Sequence, residues 1–163
     1  MAQPRSTRDK IHSAASLARI IRRAQRQGRT VVFTNGCFDL VHAGHVKLLE
    51  RARRQGDCLV VGLNSDRSVR QLKGPGRPVI GQEDRALLLA ALACVDYVTI
   101  FNDLTPKRLI EQLRPRVLIK GADWNASAIV GRQMVEGYGG RVVRVPLVRG
   151  YSTTRLIERI RGR

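Results

Sequence analysis

Aromatic residues are scarce in this chain, with three Phe, three Tyr and one Trp making up 4% of 163 residues. That scarcity argues against a surface that threads single-stranded nucleic acid, because such surfaces interleave basic residues with stacking rings. Cysteine is scarce too. Cys37, Cys58 and Cys94 are odd in number, far apart and without a C-x-x-C pair, which excludes a disulfide framework and fits a reducing compartment. Long apolar runs are missing: nothing approaches the ~18 residues of a membrane span, and Met1–Lys10 contains no apolar stretch of a signal peptide. A cytoplasmic protein with no membrane partner is expected.

Acidic residues are also few, 13 against 30 Lys and Arg, for a formal net charge of +17. An excess of this size raises a nucleic-acid reading. The arginines are dispersed, however. Arg19, Arg22, Arg23 and Arg26 lie on one predicted helix face, Arg51, Arg53 and Arg54 on a second, and Arg155, Arg159, Arg161 and Arg163 at the end of the chain. Dispersal favours solvated helix faces and attraction for anionic substrates over specific nucleic-acid binding.

What is present is an alternation of short apolar runs with amphipathic segments. The periodicity predicts helices over 13–27, 43–55, 67–72, 82–92, 105–113, 126–138 and 155–161. Continuous apolar runs predict strands over 31–33, 58–63, 95–101, 116–119 and 141–145, with the buried character of parallel strands. This alternation implies an α/β fold, a Rossmann-like three-layer arrangement around a five-stranded parallel sheet with right-handed crossovers. Residues 1–12 read as a flexible basic N-terminus and 13–163 as a single domain.

The stretch Thr34-Asn35-Gly36-Cys37-Phe38-Asp39-Leu40-Val41-His42-Ala43-Gly44-His45 joins the first strand to the second helix. A strand, a glycine-containing turn and a helix start form a phosphate site, because the first N–H groups of the helix lack internal partners and its dipole is positive there. Gly44 leaves the backbone open to close approach. His42 and His45 can donate N–H to phosphate oxygens, the part lysine plays in other motifs. Cys37 as a nucleophile is the lesser reading beside a small residue in a tight turn, since phosphoryl transfer needs positioning more than covalent catalysis. Cys37, His42 and His45 as zinc ligands match no common spacing and lack a fourth partner.

Loops after the first, second, fourth and fifth strands should meet at the carboxyl rim of such a sheet, where ligands bind. They carry Asp39, His42 and His45, then Lys73, then Asp123, then Ser152, Thr153 and Thr154. Lys73 and Arg77, in the Gly/Pro segment 73–78, are suited to closing over a polyphosphate, although an ordinary exposed loop explains them equally well. Ser152–Thr154 suggest a second anion cradle at a helix start. The chemistry this supports is in-line attack by a substrate phosphate on a nucleotide α-phosphorus, with fixed donors stabilising the charge. Mg²⁺ would be held mainly by the triphosphate and water, with Asp39 near that shell or orienting the motif.

The sequence G-C-F-D-x-x-H-x-G-H after a first strand resembles the signature of the cytidylyltransferase-like nucleotidyltransferases, the HxGH type. The likeness runs from about Thr30 to Ile160 and includes Ser65-Asp66, the Arg85 helix, Gly121-x-Asp123-Trp124 and the terminal Ser-Thr-Thr. It implies that His42 and His45 stabilise the transition state and that Lys73, as a catalytic cation, and Arg85 contact phosphates. It further implies that Ser152, Thr153 and Thr154 hold the triphosphate tail. Asn35, Gly36, Cys37, Phe38, Asp39 and Gly44 are expected around the nucleotide, with Asp123 and Trp124 nearby. Two branches compete: a cytidylyltransferase of glycerol 3-phosphate, and an ATP-using adenylyltransferase of heptose 1-phosphate that supplies lipopolysaccharide inner core. Thr34-Asn35, Leu72-Lys73-Gly74 with Arg77-Pro78-Val79, and Lys120-Gly121-Ala122-Asp123 look more like the heptose branch, and Leu147 stands where the glycerol branch commonly has arginine. Members of the heptose branch are often fused behind a sugar kinase. No kinase-sized segment accompanies this sequence, so a stand-alone form is expected, and by resemblance a homodimer. A non-catalytic basic module that binds nucleic acid is the reading from a different class.

Overall fold

The computed structural model describes residues 6–122, 125, 128–146 and 150–162. Five strands, β1 (Val31–Gly36), β2 (Cys58–Asn64), β3 (Tyr97–Phe101), β4 (Val117–Gly121) and β5 (Arg141–Val145), form one sheet in the order β3-β2-β1-β4-β5. Every neighbouring pair is parallel. The chain winds outward from β1 to β3, then crosses back to β4 and β5. The switch point therefore lies between β1 and β4, where α/β sheets open a crevice at their carboxyl ends.

Helices cover both faces. Val32, Val61, Leu63, Val117 and Ile119 pack beneath α2 (Ala43–Arg53) and α4 (Gln82–Ala91), which contribute Leu49, Ala52, Ala86 and Leu89. Val31, Phe33, Val60 and Leu118 pack beneath α1 (Ala14–Arg26), α5 (Lys107–Leu113) and α6 (Arg132–Gly137). The alternation along β1 and β4 sends successive side chains into opposite cores, as parallel strands covered on both faces require. Two further helices, α3 (Asp66–Lys73) and α7 (Thr153–Ile160), follow β2 and β5. Ser13, Ser65 and Ser152 cap α1, α3 and α7 through their hydroxyls, each satisfying a donor the helix cannot.

Three expectations need correction. Among the described residues of the helix read over 126–138, the α-helix spans Arg132–Gly137 and does not extend back through Gly131, which has φ +90 and where a Cβ would come within 2.6 Å of Ile110; an α-helix cannot run through that conformation. The arm read as flexible is ordered from Ser6 onward. Ser6 and Asp9 close a capping box around a 3-10 turn at Thr7–Lys10, and Lys10 Nζ donates to the carbonyls of Leu92 and Val95 at 3.3 and 2.9 Å. Ile11 then bridges to Val98 in parallel fashion and packs on the α2/α4 core. Basic composition alone hid this, since the lysine serves as the C-terminal cap of α4. The strand read from Val95 starts at Tyr97, Val95 instead closing the turn after α4 through its N–H to Leu92 O.

Candidate active site

The two histidines begin α2 and cap each other. His42 is the N-cap residue, and its Nδ1 accepts the N–H of His45 at 3.3 Å, while Nδ1 of His45 accepts the N–H of His42 at 3.4 Å. The rings stack with centroids 3.7 Å apart. This is a capping box in which imidazoles replace the usual hydroxyl and carboxylate. A ring nitrogen that accepts carries no proton, so each neutral imidazole bears its hydrogen on Nε2, leaving two donors. Burial, and then the neighbouring His42, push His45 down to about 4; burial also lowers His42. Both rings are therefore neutral at pH 7 in the resting chain.

The turn before them is shaped by Phe38, which has φ +43, uncommon for a residue with a Cβ. Its ring lies 3.0 Å from where a Cβ on Gly36 would sit and meets His45 edge-on at 5.1 Å. Gly44 is required on the other side. A Cβ there would stand 2.8 Å from Tyr151 Cβ and 3.0 Å from the His42 ring. Tyr151 immediately precedes the Ser152 cap of α7 and stacks on His42 at 5.9 Å. The starts of α2 and α7 are thus brought side by side, as the rim argument expected. Thr153 and Thr154 are the first two residues of α7 and contribute N–H groups of its first turn, while the Ser152 hydroxyl accepts from Arg155 N at 3.1 Å.

Asp39 and Arg85 occupy different positions from those expected of ligands. The Asp39 carboxylate is buried and accepts from Arg77 Nε at 2.5 Å, Val79 N at 2.7 Å and Ile80 N at 3.1 Å. It binds the segment after Gly76 to the motif, and it commits Arg77, so of the two cations in that loop only Lys73 stays exposed. Arg85 has no exposed surface. Its guanidinium donates to Ile80 O at 2.9 Å, Cys37 O at 2.5 Å, Asn64 O at 2.9 Å and Asp66 Oδ1 at 2.7 Å, which uses four of its five N–H groups. The expectation that Arg85 contacts phosphate gives way to a positioning role under the turns after β1 and β2. Periodicity along α4 could not separate a buried arginine from an exposed one.

Burial raises the Cys37 thiol against the pull of Lys73, Arg85 and Arg77, which argues against a thiolate nucleophile. Asn35 accepts from Lys120 Nζ across the β1–β4 crevice. Lys120 was not among the candidate site residues, although it opens the Lys120–Asp123 stretch that resembles the heptose branch and follows directly on the apolar run Val117–Ile119. Asp123 and Trp124 lie outside the described residues. Among the described residues no three His, Cys, Asp or Glu side chains are grouped to hold a metal ion, and no helix is long and apolar enough to cross a membrane.

The chain is 56% identical over 154 residues to the bifunctional protein HldE of Syntrophotalea carbinolica, covering 94% of this chain and 31% of that protein. It is 58% identical over 151 residues to the bifunctional protein HldE of Geobacter sulfurreducens, again covering 31% of its length. The chain thus spans about a third of the curated relatives it matches. Among solved structures, a lipopolysaccharide core biosynthesis protein from Thermoplasma volcanium superposes with a TM-score of 0.61 at 23% identity, covering 76% of this chain and 99% of that one. A pantoate-beta-alanine ligase from Francisella tularensis gives 0.61 at 15% identity over 85% of this chain and 67% of its own. At those identities both speak for the fold alone. The family model described as cytidylyltransferase-like matches residues 33–159, and the chain belongs to that family.

Proposed function

We propose that the chain transfers AMP from ATP to D-glycero-D-manno-heptose 1-phosphate, giving ADP-heptose and pyrophosphate. The observation that carries this reading is the pair of mutually capped histidines at the start of α2, set against the start of α7. Two helix starts with free N–H groups suit a triphosphate. The high identity to HldE proteins and the heptose-like motifs noted above support the nucleotide and the acceptor.

An oxygen of the sugar phosphate attacks the α-phosphorus. The bond from that phosphorus to the α,β-bridging oxygen breaks, its electron pair stays on the bridging oxygen, and pyrophosphate departs. The attacking oxygen is already anionic, so no general base is required. The Nε2–H groups of His42 and His45 donate to the charge that builds on the transferring group, and the first turn of α7 with Thr153 and Thr154 receives the tail. Lys73 adds an exposed cation at the end of α3. Asp39 and Arg85 hold the turns that carry these groups. Nucleotidyltransferases that use ATP generally need a divalent metal. With the Asp39 carboxylate committed to Arg77 and Asp66 paired with Arg85, Mg²⁺ carried by the triphosphate oxygens fits the described residues; it would neutralise tail charge.

The test is pyrophosphate release with Mg²⁺, pairing ATP or CTP with heptose 1-phosphate or glycerol 3-phosphate. Release is expected only with ATP and heptose 1-phosphate. Removing one such donor typically costs about 10²–10³ in kcat, so His45→Ala should fall by that factor. Turnover with CTP and glycerol 3-phosphate alone would reject the acceptor and nucleotide named here.

A further inference from the structure

Lys120 stands where a lysine is costly. It follows Val117, Leu118 and Ile119, all fully buried, and an ammonium group there loses much of its hydration. The register explains its partner. Val32 faces Val117 and Phe33 faces Leu118, so two residues further on Asn35 stands opposite Lys120, and their side chains are hydrogen-bonded. β1 and β4 flank the switch point of the sheet, so this pair marks the floor of the ligand crevice.

The face matters as much as the depth. Phe33 and Leu118 belong to the core under α1, α5 and α6, and strand alternation puts Asn35 and Lys120 on that same side. The histidines and the start of α7 lie on the α2 side. That second face also carries a hollow of about 690 Å³ near the starts of α5 and α6, lined by Lys107, Ile129, Gly131, Arg132 and Met134 among others. In-line displacement needs the attacking oxygen and the departing pyrophosphate on opposite sides of the α-phosphorus. With the tail gathered at α2 and α7, as proposed above, in-line geometry would bring the attacking group in from the α5/α6 side.

We propose that Lys120, oriented by Asn35, is a substrate-contacting residue that binds the phosphate of the acceptor sugar across the crevice from His42 and His45. The inference rests on the transferase reading above. Burial draws the ammonium down to about 8, so at pH 7 the charge is still largely present, held against its desolvation.

Lys120→Gln keeps a donor for Asn35 and removes the charge; Lys120→Met serves if the glutamine variant does not fold, and Lys120→Arg restores a cation. Steady-state kinetics with ATP and heptose 1-phosphate should show the acceptor KM of the neutral variant raised at least tenfold, the ATP KM within twofold, and partial recovery in the arginine variant. An acceptor KM within twofold of wild type, or a rise confined to ATP, overturns the proposal. If the wild type releases no pyrophosphate, the transferase reading has failed, and calorimetry with heptose 1-phosphate then decides the role of Lys120. Binding at least tenfold weaker in the neutral variant upholds the site; equal binding, or none to either protein, removes it.

Discussion

The Asp39 carboxylate and the Arg77 guanidinium form a buried ion pair at 2.5 Å across 38 residues of sequence, with Asp39 only 1% exposed. The same carboxylate also accepts two backbone N–H groups from Val79 and Ile80, so one side chain fixes the loop that begins after Lys73. Removing one partner of a buried, hydrogen-bonded pair strands the other and costs about 3–5 kcal/mol. Asp39→Ala is therefore expected to lower Tm by roughly 10 °C, at the ~2–4 °C per kcal/mol usual for a domain of this size. A thermal melt checks it. An unchanged Tm together with weakened ATP binding would make Asp39 a ligand rather than a clamp.

The approach of Tyr151 to Gly44 makes a second prediction that separates fold from function. Alanine is the better helix former by about 1 kcal/mol, so Gly44→Ala alone should not hurt α2. Its Cβ would nevertheless displace either Tyr151 or the His42 ring, and a misplacement of about 1 Å at a reacting centre can cost about 10²-fold. Helical circular dichroism is expected to hold while turnover falls about a hundredfold. Gly137→Ala, where a Cβ meets nothing within 4 Å, is the control and should keep its activity. Comparable rates in the two variants would mean that the α2–α7 contact is not required.

Local pattern made the elements of the fold legible: apolar runs gave the five strands, and Ser13, Gly28 and the spacing of Leu17 and Ile21 gave α1 to within a residue or two. The histidine pair was legible because both partners lie within one turn. What stayed hidden depends on contacts between distant residues. Nothing near Arg85 in sequence says that three carbonyls and a carboxylate await it, and the pairing of Lys120 with Asn35 emerges only when β4 lands beside β1. The left-handed Gly131 was equally silent, since its conformation is required by packing against Ile110 and Leu118.

The depressed His45 predicts how stability responds to acid. Its folded value of about 4 lies below the ordinary 6.5, so between those values the unfolded chain binds more protons than the folded one. Stability then rises with pH across the window from about 4 to 6.5 and falls as pH drops through it. Urea denaturation at pH 5 and pH 7.5 should give wild type a larger difference between the two conditions than His45→Gln, which cannot take up the proton. Equal differences would show that the ring is not held neutral by burial.

Arg85→Lys distinguishes a positioning arginine from a phosphate ligand. Lysine presents a point charge where a rigid fork now serves four acceptors, and the exchange is not conservative at such a site. Each lost bond from a charged donor is worth about 1.5–3 kcal/mol, and a lysine retains part of the set. A net loss of about 3 kcal/mol in urea unfolding is expected, with kcat reduced because the Cys37 carbonyl and the turn leading to Phe38 lose their support. A phosphate ligand would behave otherwise: the fold would keep its stability, and the change would appear as a raised KM for ATP. Because Arg85 has no exposed surface and the nearest anion is its own partner Asp66, the stability loss is the outcome the geometry requires.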